Sequence, residues 1–478
     1  MSMNTNQRWV LVLTSVASLA IMLDALVVTT ALNAIRLDLN ASIEQLEWTI
    51  NAFTLPFAVL LMAAAALGDR FGRRRTLVAG LVLFGVASIG CALAPGIGWL
   101  IVARAVQGAG AAAVVPVSMT MLGTAFGPTE RGRALGLFAA ITGIATLAGP
   151  LLGGAVVEGA TWPWIFWLNA PVVAVLIPLV LTRLEESRGP VRRLDLVGIL
   201  LVSGAAFGLV WGLVEGNSAG WTSAEVLGAL VIGAVLLVAF VAWERRVEEP
   251  LIPMQLFASR AFSAGNAAGF LLFAGVFSGA FFFAQFMQTV MHYGPLGTGV
   301  RLLPWTATLF VVAPIAGRLV NRVGERPLVA GGLLLQAIGL GWIAVIASPD
   351  MSYVAMIPPF IVAGVGVSMA IPAAQSAVLG AVPPAAVGAA SGTFNTLRQL
   401  GGSFGIAIPA TVFAAAGDVG SVTEFTDGFT AAIATAAVLT LVGAAAAMLI
   451  PARTRSRLIP GRIGQVAGDA AAPVGSAR

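Results

Sequence analysis

The apolar positions along the chain gather into fourteen long runs, separated by short polar stretches. The first six lie roughly at Trp9–Leu32, Trp48–Leu67, Thr76–Ala94, Trp99–Leu122, Ala134–Val157 and Trp164–Thr182, followed by Leu196–Val214 and Ala224–Trp243. The last six lie at Ser263–Gln285, Gly299–Val320, Leu328–Ala347, Tyr353–Leu379, Ala389–Ala415 and Phe429–Ile450. A helix crossing a ~30 Å hydrocarbon core needs about 20 mainly apolar residues. Each run is close to that length or longer, so the pattern predicts an all-α membrane protein with fourteen transmembrane helices. The first run is too long for a signal-peptide core and lacks a convincing small-residue cleavage site, which predicts that it stays attached as the first span. From Pro451 onward hydrophobicity falls, and a tail is expected.

Charge orients the spans. All basic residues are Arg, 26 in number, and all but Arg36, Arg104, Arg301 and Arg398 fall at the termini or in the connections after even-numbered runs. Positive charge in short connections marks the cytoplasmic side. The pattern therefore predicts a multi-pass protein of the inner (plasma) membrane with both termini cytoplasmic and the lipid bilayer as its solvent. The composition agrees, with 58% hydrophobic and 10% charged residues and a mean hydropathy of +0.95, against about 25% charged for a soluble domain. A pI near 10.7 would fit a nucleic-acid binder, but the net charge is only +5 and the Arg clusters sit between apolar runs, so no nucleic-acid partner is expected. Cys91 and His292 are the only residues of their kinds. That leaves no disulfide, no metal site and no nucleophile–base constellation, and predicts a protein without cofactor or enzymatic activity. With no phosphate-binding loop and no large soluble domain, the energy source must be an ion gradient. The chain is expected to act as a monomer.

An internal repeat divides the runs. Leu67, Arg70, Gly72 and Arg74 after the second run match Leu319, Arg322, Gly324 and Arg326 after the tenth, and Gly149 and Gly153 match Gly401 and Gly405 at the same offset. This predicts a six-helix bundle over residues 1–182, an inserted helix pair with its connections over 183–262, a second six-helix bundle over 263–450 and a cytoplasmic tail over 451–478. Parallel repeats of this kind place a substrate site between the halves, near the midplane.

A few polar groups interrupt the apolar runs. Asp24 is the one carboxylate deep inside a run, with Glu158 and Glu215 at run ends, and an intramembrane carboxylate is costly and functional by default. It can also be a satisfied polar anchor between helices. At ~1.5 Å per residue, Asp24 and Arg104 lie at similar depths, roughly 12 and 8 Å from the same end, close enough for an ion pair. Snorkelling to the surface is the alternative for Arg104.

Several segments carry a resemblance. Leu23-Asp24 to Leu32, Leu67-Gly68-Asp69-Arg70-Phe71-Gly72-Arg73-Arg74-Arg75, Arg104-Ala-Val-Gln107-Gly108, Gly149-Pro150-Leu-Leu-Gly153-Gly154, Trp162 to Pro171, Gln285-Phe-Met-Gln288 and Asn395 to Ser403 together resemble the major facilitator superfamily, in particular its fourteen-spanner drug:proton antiporters. The similarity covers the chain from Trp9 to about Ile450. Asn33 and Ala65 stand where the family usually has Pro and Gly, and Pro163 where Arg is usual. The resemblance implies alternating-access efflux of hydrophobic, often cationic, drug- or antibiotic-like small molecules in exchange for protons. Proton-coupled uptake of a metabolite on the same fold is the alternative, against which the Gly149-Pro150 motif speaks. It further implies proton transfer by Asp24 and Arg104, and a conformational latch of Asp69, Arg70, Gly72, Arg73 and Arg74, in part through a carboxylate facing a helix N-terminus. The antiporter motif is Gly149, Pro150, Gly153 and Gly154. Asn51, Phe53, Gln107, Phe281, Gln285, Gln288, Asn395 and Arg398 are candidates for the substrate cavity, although the Phe rings equally suit packing or lipid contact.

Overall fold

A computed structural model of the chain describes residues 3–126, 128–189, 195–383 and 386–452; the expected tail lies, from residue 453 on, outside the described residues. All regular structure among the described residues is helical, and fourteen helices are long and apolar enough to cross a membrane. In chain order the spans are Thr5–Leu39, Ile43–Phe71, Arg73–Ala92, Ile97–Ala125, Gly136–Gly159, Trp164–Arg183, Leu196–Glu215, Ala224–Glu244, Arg260–Thr289, Pro295–Val320, Glu325–Ile346, Tyr353–Gly380, Val387–Ala416 and Val422–Ala447.

Several helices outrun the apolar pattern because polar caps belong to them. Asn4 with Gln7, and Ser42 with Gln45, form capping boxes that start spans one and two ahead of their apolar onsets, satisfying backbone N–H groups that have no partner within the helix. Span one also runs on to Leu39. Span ten, expected as one helix from Gly299, instead begins at Pro295 and is built from three pieces, Pro295–Arg301, Leu303–Thr306 and Thr308–Val323. Pro304 lacks the N–H that a continuous helix would use there.

The repeat is visible in the packing. Span one packs on four, five and six, span two on four, and span three on four and six; eight spans later, nine packs on twelve, thirteen and fourteen, ten on twelve, and eleven on twelve and fourteen. Two seams join these sets, span two against thirteen and span five against ten. Spans seven and eight pack on each other, and span seven also lies against two and thirteen, where Leu55, Val59, Val202, Val210 and Ala407 share an apolar cluster. Gly72 (φ 113°) and Gly324 (φ 87°) end spans two and ten, in a backbone region open to glycine but strained for other residues. Gly149 and Gly153 abut Leu26 and Val27 of span one, while Gly401 and Gly405 abut the backbone of Phe270 and Ala274 in span nine. These contacts are closer than a Cβ would allow.

The apolar core has a polarity of its own. On the side away from the Arg-rich connections, one cluster joins both sets of spans, with Val28, Leu32 and Phe166 packed among Phe282, Phe286, Trp305, Phe360 and Phe429. Toward the Arg-rich side the core divides. One cluster holds only residues of spans one to six, such as Leu13, Phe57, Leu81 and Val180. The other holds only residues of spans nine to fourteen and the short segment before them, such as Leu272, Leu333, Ala374 and Phe394. The seam of spans two and thirteen continues toward that side, where Gly392 faces Met62. The two sets are therefore joined most broadly away from the Arg-rich face; toward that face they meet along the seam of spans two and thirteen, where Leu55, Val59 and Met62 share a cluster with Leu400, Phe404 and Ala407.

Candidate functional site

Asp24 lies inside span one and is 3% exposed, while Arg104 in span four is 1% exposed. The structure brings them together: Arg104 Nη1 donates to Asp24 Oδ2 at 2.6 Å. Gln107, one turn after Arg104, accepts from the same Nη1 at 2.6 Å and donates through Nε2 to Asp24 Oδ1 at 2.9 Å and to Ser88 Oγ at 2.8 Å. Asn169 of span six completes the carboxylate's shell, donating to Asp24 Oδ1 at 2.6 Å. Arg104 Nε donates to the Thr49 carbonyl of span two at 3.2 Å, and the guanidinium lies 4.3 Å from the Phe53 ring centroid and 5.7 Å from that of Phe166. Burying two charges is costly unless the geometry is good and the remaining donors and acceptors are satisfied. Here five spans contribute to that satisfaction. Arg104 turns inward to this network and does not snorkel.

The two residues meet although span one extends further than the apolar run suggested, because its last turns, with Asp38 accepting from Trp162 Nε1 at 2.7 Å, pass beyond the apolar zone. Ser88 and Asn169 are members that the sequence reading did not place in a site. Asn169 lies in a quoted motif, but only the fold shows that it faces span one. Gln107 and Phe53, considered as cavity lining, are instead committed to the ion pair, one as a hydrogen-bond bridge and the other as a ring beneath the guanidinium.

Asp24 is not the only buried carboxylate of a span, although the others lie near span ends. Span two begins at Ile43, not near Trp48, so Glu47 belongs to it; it is 3% exposed and its Oε2 has no hydrogen-bond partner. The other cavity candidates divide. Phe281 is buried against Phe282 (centroids 5.0 Å apart), and Phe282, Phe283 and Phe286 pack on Phe413, Phe360 and Phe429; these rings belong to the cluster that joins both sets. Gln288 Nε2 donates to the Thr30 carbonyl of span one at 3.0 Å, bridging the sets. Asn51 is fully buried with neither amide atom partnered, and Gln285 Nε2 is also unpartnered. Asn395 and Arg398 are half-buried on span thirteen, with Asn395 donating to the Ser391 carbonyl at 2.9 Å and the Arg398 guanidinium 4.8 Å from the Phe273 ring.

At the Arg-rich face, Asp69 holds Arg73 in a two-pronged contact (2.8 and 3.0 Å). The carboxylate facing a helix N-terminus is a different one. Glu186, following span six, accepts from the Arg74 and Arg75 backbone N–H groups at the start of span three (2.9 and 3.3 Å), where it completes the helix end and meets its positive dipole. The Asp69 carbonyl accepts from Gly189, and Arg73 N–H donates to the Ser187 carbonyl. Arg74 reaches the Leu181 and Leu184 carbonyls, while Arg70 is exposed over Phe71. The loop is thus tied to the segment after span six.

The antiporter motif sits in the span-five seam. Gly149 and Gly153 meet span one, whereas Pro150 abuts Gly299 and Gly154 abuts Pro295 and Leu296 of span ten. Glu158 Oε2 accepts from Leu296 N–H at 3.1 Å beside them.

Comparison with known proteins fits this architecture. Residues 13–406 match the family model described as Major Facilitator Superfamily. The chain is 36% identical over 401 residues to the multidrug resistance protein Stp of Mycobacterium tuberculosis, covering 84% of this chain and 74% of that protein. It is 35% identical over 402 residues to the puromycin resistance protein of Streptomyces alboniger (83% and 79% covered). To the cephamycin export protein of Amycolatopsis lactamdurans it is 34% identical over 457 residues, with 93% of each covered. A crystal structure of a POT peptide transporter superposes with a TM-score of 0.68 at 14% identity, over 92% of this chain and 94% of that one, which is a likeness of fold. With its fourteen apolar spans, the chain belongs to the major facilitator superfamily and is a multi-pass membrane transporter, not an enzyme.

Proposed function

We propose that the protein exports hydrophobic drug- or antibiotic-like small molecules by alternating access, in exchange for protons, across the inner membrane, with both termini and the Arg-rich face in the cytoplasm. The relatives named for resistance and export support the direction and the substrate class. The observation that carries the coupling is the buried Asp24–Arg104 pair, tied to five spans.

The broader apolar cluster between the two sets lies on the outer side and the narrower one along the seam of spans two and thirteen, which supports a conformation that loads substrate from within. Asp24 is here the acceptor of three side-chain donors, one of them the Arg104 guanidinium. With the outer side closed, a proton from outside reaches Asp24 only after the molecule has opened outward with its substrate. There it removes the charge that holds Arg104 and loosens the contacts among spans one, three, four and six; release of the proton to the cytoplasm restores the pair. Two six-span halves, with spans seven and eight braced behind the seam of two and thirteen, supply the rocking parts.

The test is expression in a pump-deficient bacterium and reconstitution in vesicles. Raised resistance to several unrelated inhibitors, with drug uptake into inside-out vesicles driven by a pH gradient and lost in Asp24→Asn, is expected. Proton exchange that persists in Asp24→Asn would overturn the coupling, and resistance to no compound would overturn export.

A further inference from the structure

Arg398 is a further guanidinium well inside a span, roughly 16 Å along span thirteen from Val387 at ~1.5 Å per residue. Unlike Arg104, it has no carboxylate partner: among the described residues none lies within ion-pair distance of it, and its buried Nε has no acceptor. An unpaired charge at this depth persists where it faces a watery or ligand-filled space.

The faces of span thirteen show where it points. Ser403 bonds Thr54 of span two at 2.7 Å, and Gly392 faces Met62 on the same side. Gly401 and Gly405 meet span nine. Leu400, Phe404 and Thr411 turn to span seven, with Thr411 Oγ1 donating to the Leu213 carbonyl at 2.8 Å. At helical spacing, Asn395, Arg398 and Gly402 occupy the sector between the span-two and span-nine faces and opposite span seven, while Phe413 near the far end meets Phe425 of span fourteen. That sector is bounded by a span of each set. Phe273 lies beneath the guanidinium and Phe277 lies against Gly402, so the walls of the subsite are aromatic.

We propose that Arg398 is the subsite for an anionic group of the exported molecule, and that aromatic acids (carboxylates, phenolates or sulfonates) are among its substrates. A guanidinium presents parallel N–H donors that suit a carboxylate or sulfonate edge-on, while the adjacent rings take the apolar body. This rests on the export reading and deepens it. It also changes the energetics. A monoanion leaving as one proton enters moves two charges in the sense that an inside-negative potential favours, so voltage alone drives its export.

The probes are naphthalene-1-acetate and the near-isosteric neutral naphthalene-1-acetamide, titrated onto the full chain in lipid nanodiscs. The wild type is expected to bind the acid at least tenfold more tightly than the amide. Arg398→Gln should bring that ratio to about one, and Arg398→Lys should keep part of it. A wild type that does not bind the acid, or does not prefer it, overturns the proposal, as does an Arg398→Gln variant that keeps the preference while folded. Resistance assays separate the two readings: acid binding without resistance to any compound removes export and leaves the anion site, whereas resistance without acid preference removes only the site.

Discussion

Consider removing Arg104 alone, as Arg104→Leu. Asp24, 3% exposed, would keep the amides of Gln107 and Asn169 but lose the only positive charge within 4 Å among the described residues. Removing one member of a buried pair costs about 3–5 kcal/mol, because the remaining charge is left uncompensated. The amide bonds are present before and after and do not offset that loss. Asp24→Asn should cost a comparable amount, since one accepting oxygen becomes an NH2 that faces a donor and the guanidinium loses its counter-charge. The double variant contains neither charge and should recover much of the loss, giving a coupling energy of at least ~2 kcal/mol in a double-mutant cycle. Unfolding in detergent, followed by circular dichroism, measures the four chains, and vesicle assays measure pH-driven exchange in parallel. Stability should return in the double variant while exchange stays absent, since the carboxylate is gone. Additive single losses, within about 0.5 kcal/mol, would refute the idea that these residues act as a pair, and exchange by the double variant would refute its role in coupling.

Three further outcomes are expected. Glu47→Gln should leave pH-driven exchange intact if Asp24 alone carries the proton; loss of exchange in a folded Glu47→Gln protein would show that this buried carboxylate also belongs to the coupling. Asp69→Asn and Glu186→Gln should each slow turnover severalfold with substrate affinity nearly unchanged, because both loosen the same loop, whereas a tenfold weaker drug affinity would make the loop part of the binding site. Gly108→Val should fold poorly, since a Cβ there would collide with the Phe53 carbonyl, while Gly331→Ala, whose Cβ meets nothing within 4 Å, should be neutral or stabilising by up to about 1 kcal/mol; folded yields in membranes compare the two.

The spans were legible because crossing a bilayer demands about 20 apolar residues, a condition written directly into the chain. The Arg-rich connections and the repeat were legible for similar reasons, one being a count and the other a fixed offset. Side-chain partnerships were harder. The approach of Asp24 to Arg104 could be anticipated from depth, since helix rise converts position into distance. That Asn169 rather than another polar residue completes the shell depends on which way span six is rotated, and an apolar pattern without a strong polar face does not encode rotation. Glu47 was missed because hydropathy places the edge of a span at its first apolar run, whereas the Ser42–Gln45 capping box starts the helix earlier. Glu186 was hidden for a different reason: an acidic residue among arginines reads as a solvated loop until the chain path brings it to the end of span three.

The division of labour within the antiporter motif follows from the same helix geometry. Gly149 and Gly153 lie one turn apart and so share a face, and that face lies on span one, making them part of the packing inside the first six spans. Pro150 and Gly154 are each one residue further on, about 100° around the helix, and their face meets the first piece of span ten. A single segment therefore holds span five to its own set with one glycine pair and to the opposite set with the next pair of positions. Because the second contact is backbone against backbone, it carries no interlocking side chains that would have to disengage, and it can part and re-form as a unit. The apolar cluster beside it, with Phe283, Phe286 and Phe429, supplies the cohesion that such a contact lacks. What opens the side away from the Arg-rich face must therefore act on that cluster and on the Gln288–Thr30 bridge. Span one carries both Thr30 and Asp24, so making or releasing the Asp24–Arg104 pair acts on the helix that anchors the bridge.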